Sequence, residues 1–403
     1  MVRRLLLVAL ALLLGFPAVA PAAENPPVQE LLDTRAEAVR SRDRAAFLAT
    51  VDTSDRAFAD AQAAWFDRLA PVPLADYRLT LDEGDLTRER DLTRWGSTAL
   101  VAPVEETVQF EGYGDPVADV VFLTFVRTRG RWRISSDTGV ADLGLESSRH
   151  PWDYGPVSVR RSEHFLLLYH PDEEDHADEL LAQAEQAVPE VGKVWLRPWD
   201  MRIPLQVPSS PEELEGYLGG GLDVSKFVAF ALSSYDPENE WKWGGSRVVL
   251  NPGNFLGQPP AVRQSILVHE LLHVAAEGAT GPYAMVFVEE GIAELAAGDP
   301  ATPQLDRQVR TGVFNRRLPE NHEFVAGTQE EVQVAYQKAA SAFAFMEDRN
   351  GLDGVNRFFE AYRSTRVVGG SARYHLDQAF RRTLGIGLDE FQAEWAQTLA
   401  PVN

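Results

Sequence analysis

The stretch Val268–Gly278, VHELLHVAAEG, sets two histidines and a glutamate in an otherwise apolar run. The reading of the fold turns on whether this is a metal-binding helix or a buried helix that merely contains histidine. His269 and His273 are four residues apart, and side chains at i and i+4 of an α-helix lie one above the other on a single face. Two imidazoles so placed can share one ion. The surrounding run QPPAVRQSILVHELLHVAAEG is helical in pattern: Pro259 and Pro260 suit a first turn, and Gly278 is a natural C-terminal stop. Glu270 then stands beside the pair, able to reach a water on the ion without being a ligand.

A catalytic zinc takes three protein ligands and keeps a fourth position open, so a further ligand is expected downstream. FVEEGIAELAAG, 287–298, reads as a helix ending at Gly298, with Glu290 and Glu294 one turn apart on one face. Their neighbours Phe287, Val288, Ile292, Ala293 and Leu295 are apolar. A carboxylate buried among them requires a charge partner, which a zinc ion would be. From the residues alone either glutamate can fill the role.

H-E-L-L-H followed by E-G-I-A-E resembles the gluzincin metallopeptidases, of the thermolysin and aminopeptidase N type, and most closely the compact peptidase MA-like domains of bacterial secreted proteins. The resemblance implies one zinc ion per chain held by His269, His273 and Glu290. It makes Glu270 the general base and Glu294 the group that orients the first histidine. Two features depart from the family pattern: the segment 274–289 between ligands is shorter than in the best-known members, and Phe287 stands where tryptophan is usual. Further on, VAYQKAASAFAFMEDRNGLDGVNRFFEAYRS and HLDQAFRRTLGIGLDEFQAEWAQTL resemble the helical tail of the same domains. Tyr336 on the first of these, and after it His322 in PENHEF, are the candidates for stabilising an oxyanion.

Ahead of the metal helix, HFLLLYH, IPLQV, FVAFALSS and SRVVLNP read as strands, with ADELLAQAEQAVPEVGKVW as a helix between the first two. In the family layout Arg247, Val248, Val249, Leu250 and Asn251 form an edge strand to which an extended peptide adds itself. That strand lacks the acidic motif by which aminopeptidase members grip a free N-terminus, so cleavage within a peptide or protein substrate is the expectation. HPDEEDHADE reads as an acidic helix entry, GYLGGGLD as a turn, and ENEWKWGG as a hairpin tip.

The chain of 403 residues is long enough for two domains. MVRRLLLVALALLLGFPAVAPAAE has a secretory signal's basic start, short apolar stretch and small residues at Ala20, Ala22 and Ala23, which assigns 1–23 to a signal peptide. The expectation is a secreted, extracellular bacterial protein with no membrane span after signal removal. Cysteine is absent, which excludes a disulfide framework and a lipid-modified cysteine. A formal charge of -22 argues against a nucleic-acid partner. The only lysines are Lys193, Lys226, Lys242 and Lys338, an arginine bias suggesting a GC-rich genome.

Residues 24–148 pattern differently. VQELLDTRAEAVRSRDRAAFLATVD and DRAFADAQAAWFDRLA read as two amphipathic helices, followed by strand-like runs DYRLTLDEG, STALVAPVEETVQF, ADVVFLTFVRTRG and RWRISSD. Helices followed by an antiparallel meander imply an α+β unit, and this one weakly resembles the cone-shaped nuclear transport factor 2-like, or SnoaL-like, fold. No clustered catalytic set is legible in it, so an accessory or substrate-presenting role is expected. SSRHPWDYGP reads as the linker. The fold class expected for the whole is α+β: a small cone-like domain, then from 152 to 403 a gluzincin-type domain with a mixed sheet, a helical metal-binding core and a helical tail. The function expected is zinc-dependent peptide hydrolysis. Its rivals are a catalytically idle metallopeptidase-like binding module and an extracellular ligand carrier acting through the N-terminal domain.

Overall fold

The computed structural model describes residues 26–82, 99–139, 141, 144–219, 228–235, 243–280, 284–298, 302–364 and 371–399. The signal-like segment 1–23 lies outside the described residues, as do parts of GYLGGGLD and ENEWKWGG. The chain is mixed α+β and divides into two compact units. Among the described residues, 26–177 and 202–219 form one unit, and 178–201 with 228–399 form the other. No described helix is long and apolar enough to cross a membrane.

The first unit begins with α1 (Pro26–Arg40), α2 (Arg44–Leu48) and α3 (Arg56–Arg68). The single helix expected over 28–52 is thus broken, because Arg42 takes a left-handed φ of 58° and Asp43 then caps α2 by accepting from the Ala46 N–H. Four strands follow as an antiparallel meander: β1 (Leu74–Leu81), β2 (Ala99–Phe110), β3 (Tyr113–Thr128) and β4 (Arg131–Ser136). Along β1, Tyr77, Leu79 and Leu81 alternate inward, so the period of two gives the sheet an apolar face for the helices to cover.

The stretch SSRHPWDYGP, expected as a spacer, is instead part of this core. It contains α4 (Pro151–Tyr154), whose Trp152 is fully buried with its ring edge-on to Phe110. The Trp65 indole N–H donates to the Asp153 carboxylate at 2.9 Å, and Arg68 donates to the Trp152 and Asp153 carbonyls. The domain boundary expected at 148–152 therefore falls inside the first unit. β5 (Ser158–Arg161), not foreseen from the sequence, pairs antiparallel with β6 (Phe165–Tyr169). α5 (Glu174–Val194), which belongs to the second unit from Asp178 onward, follows along the chain, then β7 (Ile203–Val207), parallel to β6, and α6 (Pro211–Tyr217). A helical crossover between parallel strands is the connection that pairing demands.

In the second unit β8 (Ala229–Tyr235) and β9 (Trp243–Leu250) form an antiparallel pair, with Ala231 opposite Val248. After α7 (Pro252–Phe255) come α8 (Pro260–Thr280), α9 (Val286–Ala297), α10 (Pro303–Thr311), α11 (Gln329–Ser364), α12 (Ala372–Leu384) and α13 (Leu388–Thr398). α8 passes the expected stop at Gly278 and ends at Thr280. Within α11, Gly351 (φ 66°, ψ 169°) separates two helical halves. A Cβ on Gly291 of α9 would overlap the Phe343 ring and stand 2.9 Å from the Ala339 carbonyl. α9 and α11 thus approach at a distance only glycine permits, which fixes the height of the residue before it, Glu290.

Candidate metal centre

From Ile266 to Leu272 every residue of α8 is buried, so the helix runs through the core instead of along its surface. Charged and polar groups on it must therefore find partners inside the protein. His269 and His273 project from one face, their ring centroids 4.8 Å apart and the planes inclined by 72°. Glu290, fully buried on α9, reaches the same point. The Nε2 atoms of the two histidines are 3.1 Å apart; His269 Nε2 is 3.4 Å from one Glu290 oxygen, and His273 Nε2 is 3.5 Å from the other.

These separations fit a shared ion better than they fit hydrogen bonds. Zinc with arms of about 2.0–2.2 Å at tetrahedral angles sets neighbouring ligand atoms roughly 3.3–3.5 Å apart. A carboxylic acid bonding an imidazole directly would close to about 2.7–2.9 Å. Both Glu290 oxygens are buried without a hydrogen-bond partner among the described residues. Leaving such a group uncompensated is costly. The three residues can hold a metal ion, and the donor set of two imidazoles and a carboxylate suits zinc.

Protonation follows the same logic. Burial pushes the Glu290 carboxyl well above the usual carboxylate range, and burial together with neighbouring His269 holds His273 well below its ordinary value, hence neutral and ready to ligate. Burial raises Glu270 to about 7, against the opposing pull of His269 and with some help from the Glu290 charge. The Glu270 carboxylate also accepts the Ala231 N–H of β8 at 2.8 Å. Glu294 lies on the far side of the first histidine, its Oε1 3.5 Å from His269 Nδ1. This is too long for a hydrogen bond, and its charge acts through space to favour the tautomer that carries the proton on Nδ1 and leaves Nε2 as a lone pair toward Glu290. Of the two glutamates, Glu290 stands with both histidines and Glu294 with His269 alone.

The other residues singled out in the sequence lie on other elements. His322 is on an exposed 3₁₀ turn (Asn321–Phe324), its side chain 69% accessible and 3.6 Å from Glu320, so it does not join the histidine pair. Tyr336 is buried on α11, with its ring edge-on to Phe324 at 5.1 Å. The strand expected as the peptide-binding edge, Arg247–Asn251, is not an edge: it supplies Arg247, Val248, Val249 and Leu250 to β9, all buried, while β8 takes the outermost position and the Asn251 N–H binds the Val228 carbonyl. The backbone group that reaches the centre comes from β8 instead, because the Ala231 N–H points at α8.

One cluster was not foreseen. In the first unit, the Tyr77 hydroxyl donates to Glu106 at 2.5 Å and His150 Nε2 lies 3.1 Å from the same carboxylate, all three buried. These residues come from separate elements, and the one local signal is Glu106 at a position of β2 where strand alternation calls for an inward residue. Compared with known proteins, the chain matches no family model and no curated protein.

Proposed function

We propose that this chain is a zinc-dependent metallopeptidase of the gluzincin type, exported by a bacterium, that cleaves bonds within peptides or proteins. The observation that carries the reading is the Glu290 carboxylate, buried without a hydrogen-bond donor among the described residues and 3.4–3.5 Å from the Nε2 atoms of His269 and His273. Zinc bound by the three would act as a Lewis acid on the scissile carbonyl and lower the pKa of a water toward about 7. The remaining work falls to the protein. Glu270, anchored by the Ala231 N–H, takes the proton of the attacking water and returns it to the leaving amine. Glu294 keeps the Nδ1 proton on His269 and so holds its Nε2 as a donor. Tyr336 is the proposed donor to the tetrahedral oxyanion.

The test is stoichiometric metal content of the exported protein combined with digestion of a mixed peptide library, with and without chelator. The expected result is one zinc per chain and internal cleavage that stops on chelation and returns with zinc. Absence of metal uptake would overturn the zinc reading. Zinc uptake without any cleavage would leave a metal-stapled binding module in its place.

A further inference from the structure

The first unit holds a partly open cavity of about 40 Å³ lined from α1, α3 and the four-stranded sheet. At about 10–15 Å³ for each water-sized occupant, it takes some three waters or one group of three to four heavy atoms. One wall is apolar, formed by Leu79, Val121, Leu123 and Ile134. The other is polar and deeply buried: Arg35, Gln62, Tyr77 and Glu106 are each at least nine-tenths covered.

The polar wall is almost closed upon itself. Glu106 is held by Tyr77 and, from behind, by His150; Arg149 pairs with Asp137 at 3.4 Å and stands 3.8 Å from Asp153; Trp65 donates to Asp153. Arg35 lies over the Phe47 ring at 3.9 Å and donates to Thr50 at 3.2 Å and to Gln62. Two of its guanidinium N–H groups thus have protein acceptors and the others have none among the described residues. Glu106 retains lone pairs on both oxygens beyond those Tyr77 and His150 use.

These facts set the ligand's chemistry. Glu106 is paired with His150 and Arg149 with Asp137, and Arg35, whose own acceptors are neutral, stands in the field of Glu106 and Asp137; a further ion would be buried with no counter-charge of its own. A purely apolar molecule would seal the remaining Arg35 N–H groups away from any acceptor. What fits is a neutral planar group with an acceptor for Arg35, a donor for Glu106, and carbon for the apolar wall. We infer that the first unit is a binding module for a primary amide group, received between Arg35 and Glu106, independent of the metal centre in the second unit.

Acetamide, acetate and acetamidinium share one shape and differ in charge, which makes them the probes. Ligand-observed NMR titrations on the full chain, in chelator so that the metal centre plays no part, should show saturable acetamide binding, with acetate and acetamidinium at least about tenfold weaker. Four heavy atoms limit affinity to tens of micromolar at best, and a millimolar dissociation constant is expected. Arg35→Met should weaken acetamide at least about tenfold. Should Arg35→Met fail to fold, Val121→Phe, which fills the apolar side, provides the same loss in a variant whose thermal transition is checked first. Non-saturable acetamide binding, tighter binding of either ion, or affinity unchanged in Val121→Phe would overturn the assignment.

Discussion

Replacing Glu290 by methionine should stabilise the metal-free protein and destabilise the zinc-loaded one. The carboxyl is fully buried, both oxygens lack a hydrogen-bond donor among the described residues, and imidazole nitrogens stand 3.4–3.5 Å away. Without an ion, folding therefore desolvates this group for no hydrogen bond, at a cost of about 1–3 kcal/mol. Methionine keeps the volume and removes the cost, as apolar replacements of buried ionic groups often do. With zinc at a thousand times its dissociation constant, the parent gains about 4 kcal/mol that the variant forfeits. For a unit of this size, 1 kcal/mol corresponds to about 2–4 °C. In chelator the variant should thus melt about 2–12 °C above the parent, and in zinc the order should reverse. Differential scanning calorimetry of both proteins in both buffers measures this. A variant that melts below the parent in chelator would refute the reasoning, since the carboxylate would then be satisfied by the protein itself.

Glu270→Gln should keep stoichiometric zinc and lose about 10²–10⁴-fold in kcat, the scale of a lost general base, as measured with a peptide substrate from the library digest. Tyr336→Phe should lower kcat roughly a hundredfold with zinc content unchanged, whereas His322→Ala, on its exposed turn, should stay within about twofold of the parent. Stability should depend on pH through the His150–Glu106 pair. Burial alone would lower His150, but Glu106, with Asp119 and Asp153, outweighs it and raises the imidazole above its ordinary 6.5; burial alone would raise Glu106, but His150, Tyr77 and Arg35 together hold it below 4.5. The histidine's contribution is full below pH 6.5 and fades as pH rises through its raised value; the glutamate's is full above pH 4.5 and fades as pH falls through its lowered one. Urea midpoints of the parent relative to Glu106→Gln should therefore be most favourable between these two pH values, and a constant difference from pH 5.5 to pH 8.5 would contradict the pairing.

The parts of the site that could be read in the sequence are those fixed by short-range geometry. A helix brings His269 and His273 together wherever it lies, and a second apolar helix with an internal glutamate is visible in FVEEGIAELAAG. The choice between Glu290 and Glu294 depends instead on how α9 crosses α8 and α11, which Gly291 sets through its contact with Phe343 and Ala339. Composition and periodicity carry no information on that crossing. The segment around Trp152 was misread for a related reason: Pro, Gly and polar residues imply a linker, but one indole filling a gap beside Phe110 outweighs them. The Tyr77, Glu106 and His150 cluster was illegible because three elements each contribute one polar residue, and only tertiary packing shows that they share a carboxylate.

Buried histidine beside buried glutamate occurs at three places among the described residues, and the pattern of donors tells them apart. Glu106 takes bonds from Tyr77 and His150. Glu213, with no exposed surface, lies 2.8 Å from His170 Nε2 and accepts from Ser209 through N–H and hydroxyl at 2.8 and 2.9 Å, and from Tyr217 as well. His170 is in turn tied through Nδ1 to the Pro156 carbonyl. Glu290 alone of the three has no such donors. The same substitution should therefore act with opposite sign at the two fully buried glutamates. Glu213→Met strands the donors of Ser209 and Tyr217 and leaves His170 without its counter-charge, which should cost about 3–5 kcal/mol, the scale of breaking a buried pair from one side. That loss should be equal in chelator and in zinc, because no ion acts there. If Glu213→Met and Glu290→Met shift the metal-free melting temperature in the same direction, donor satisfaction is not what distinguishes a structural histidine–glutamate pair from a metal ligand set in this protein.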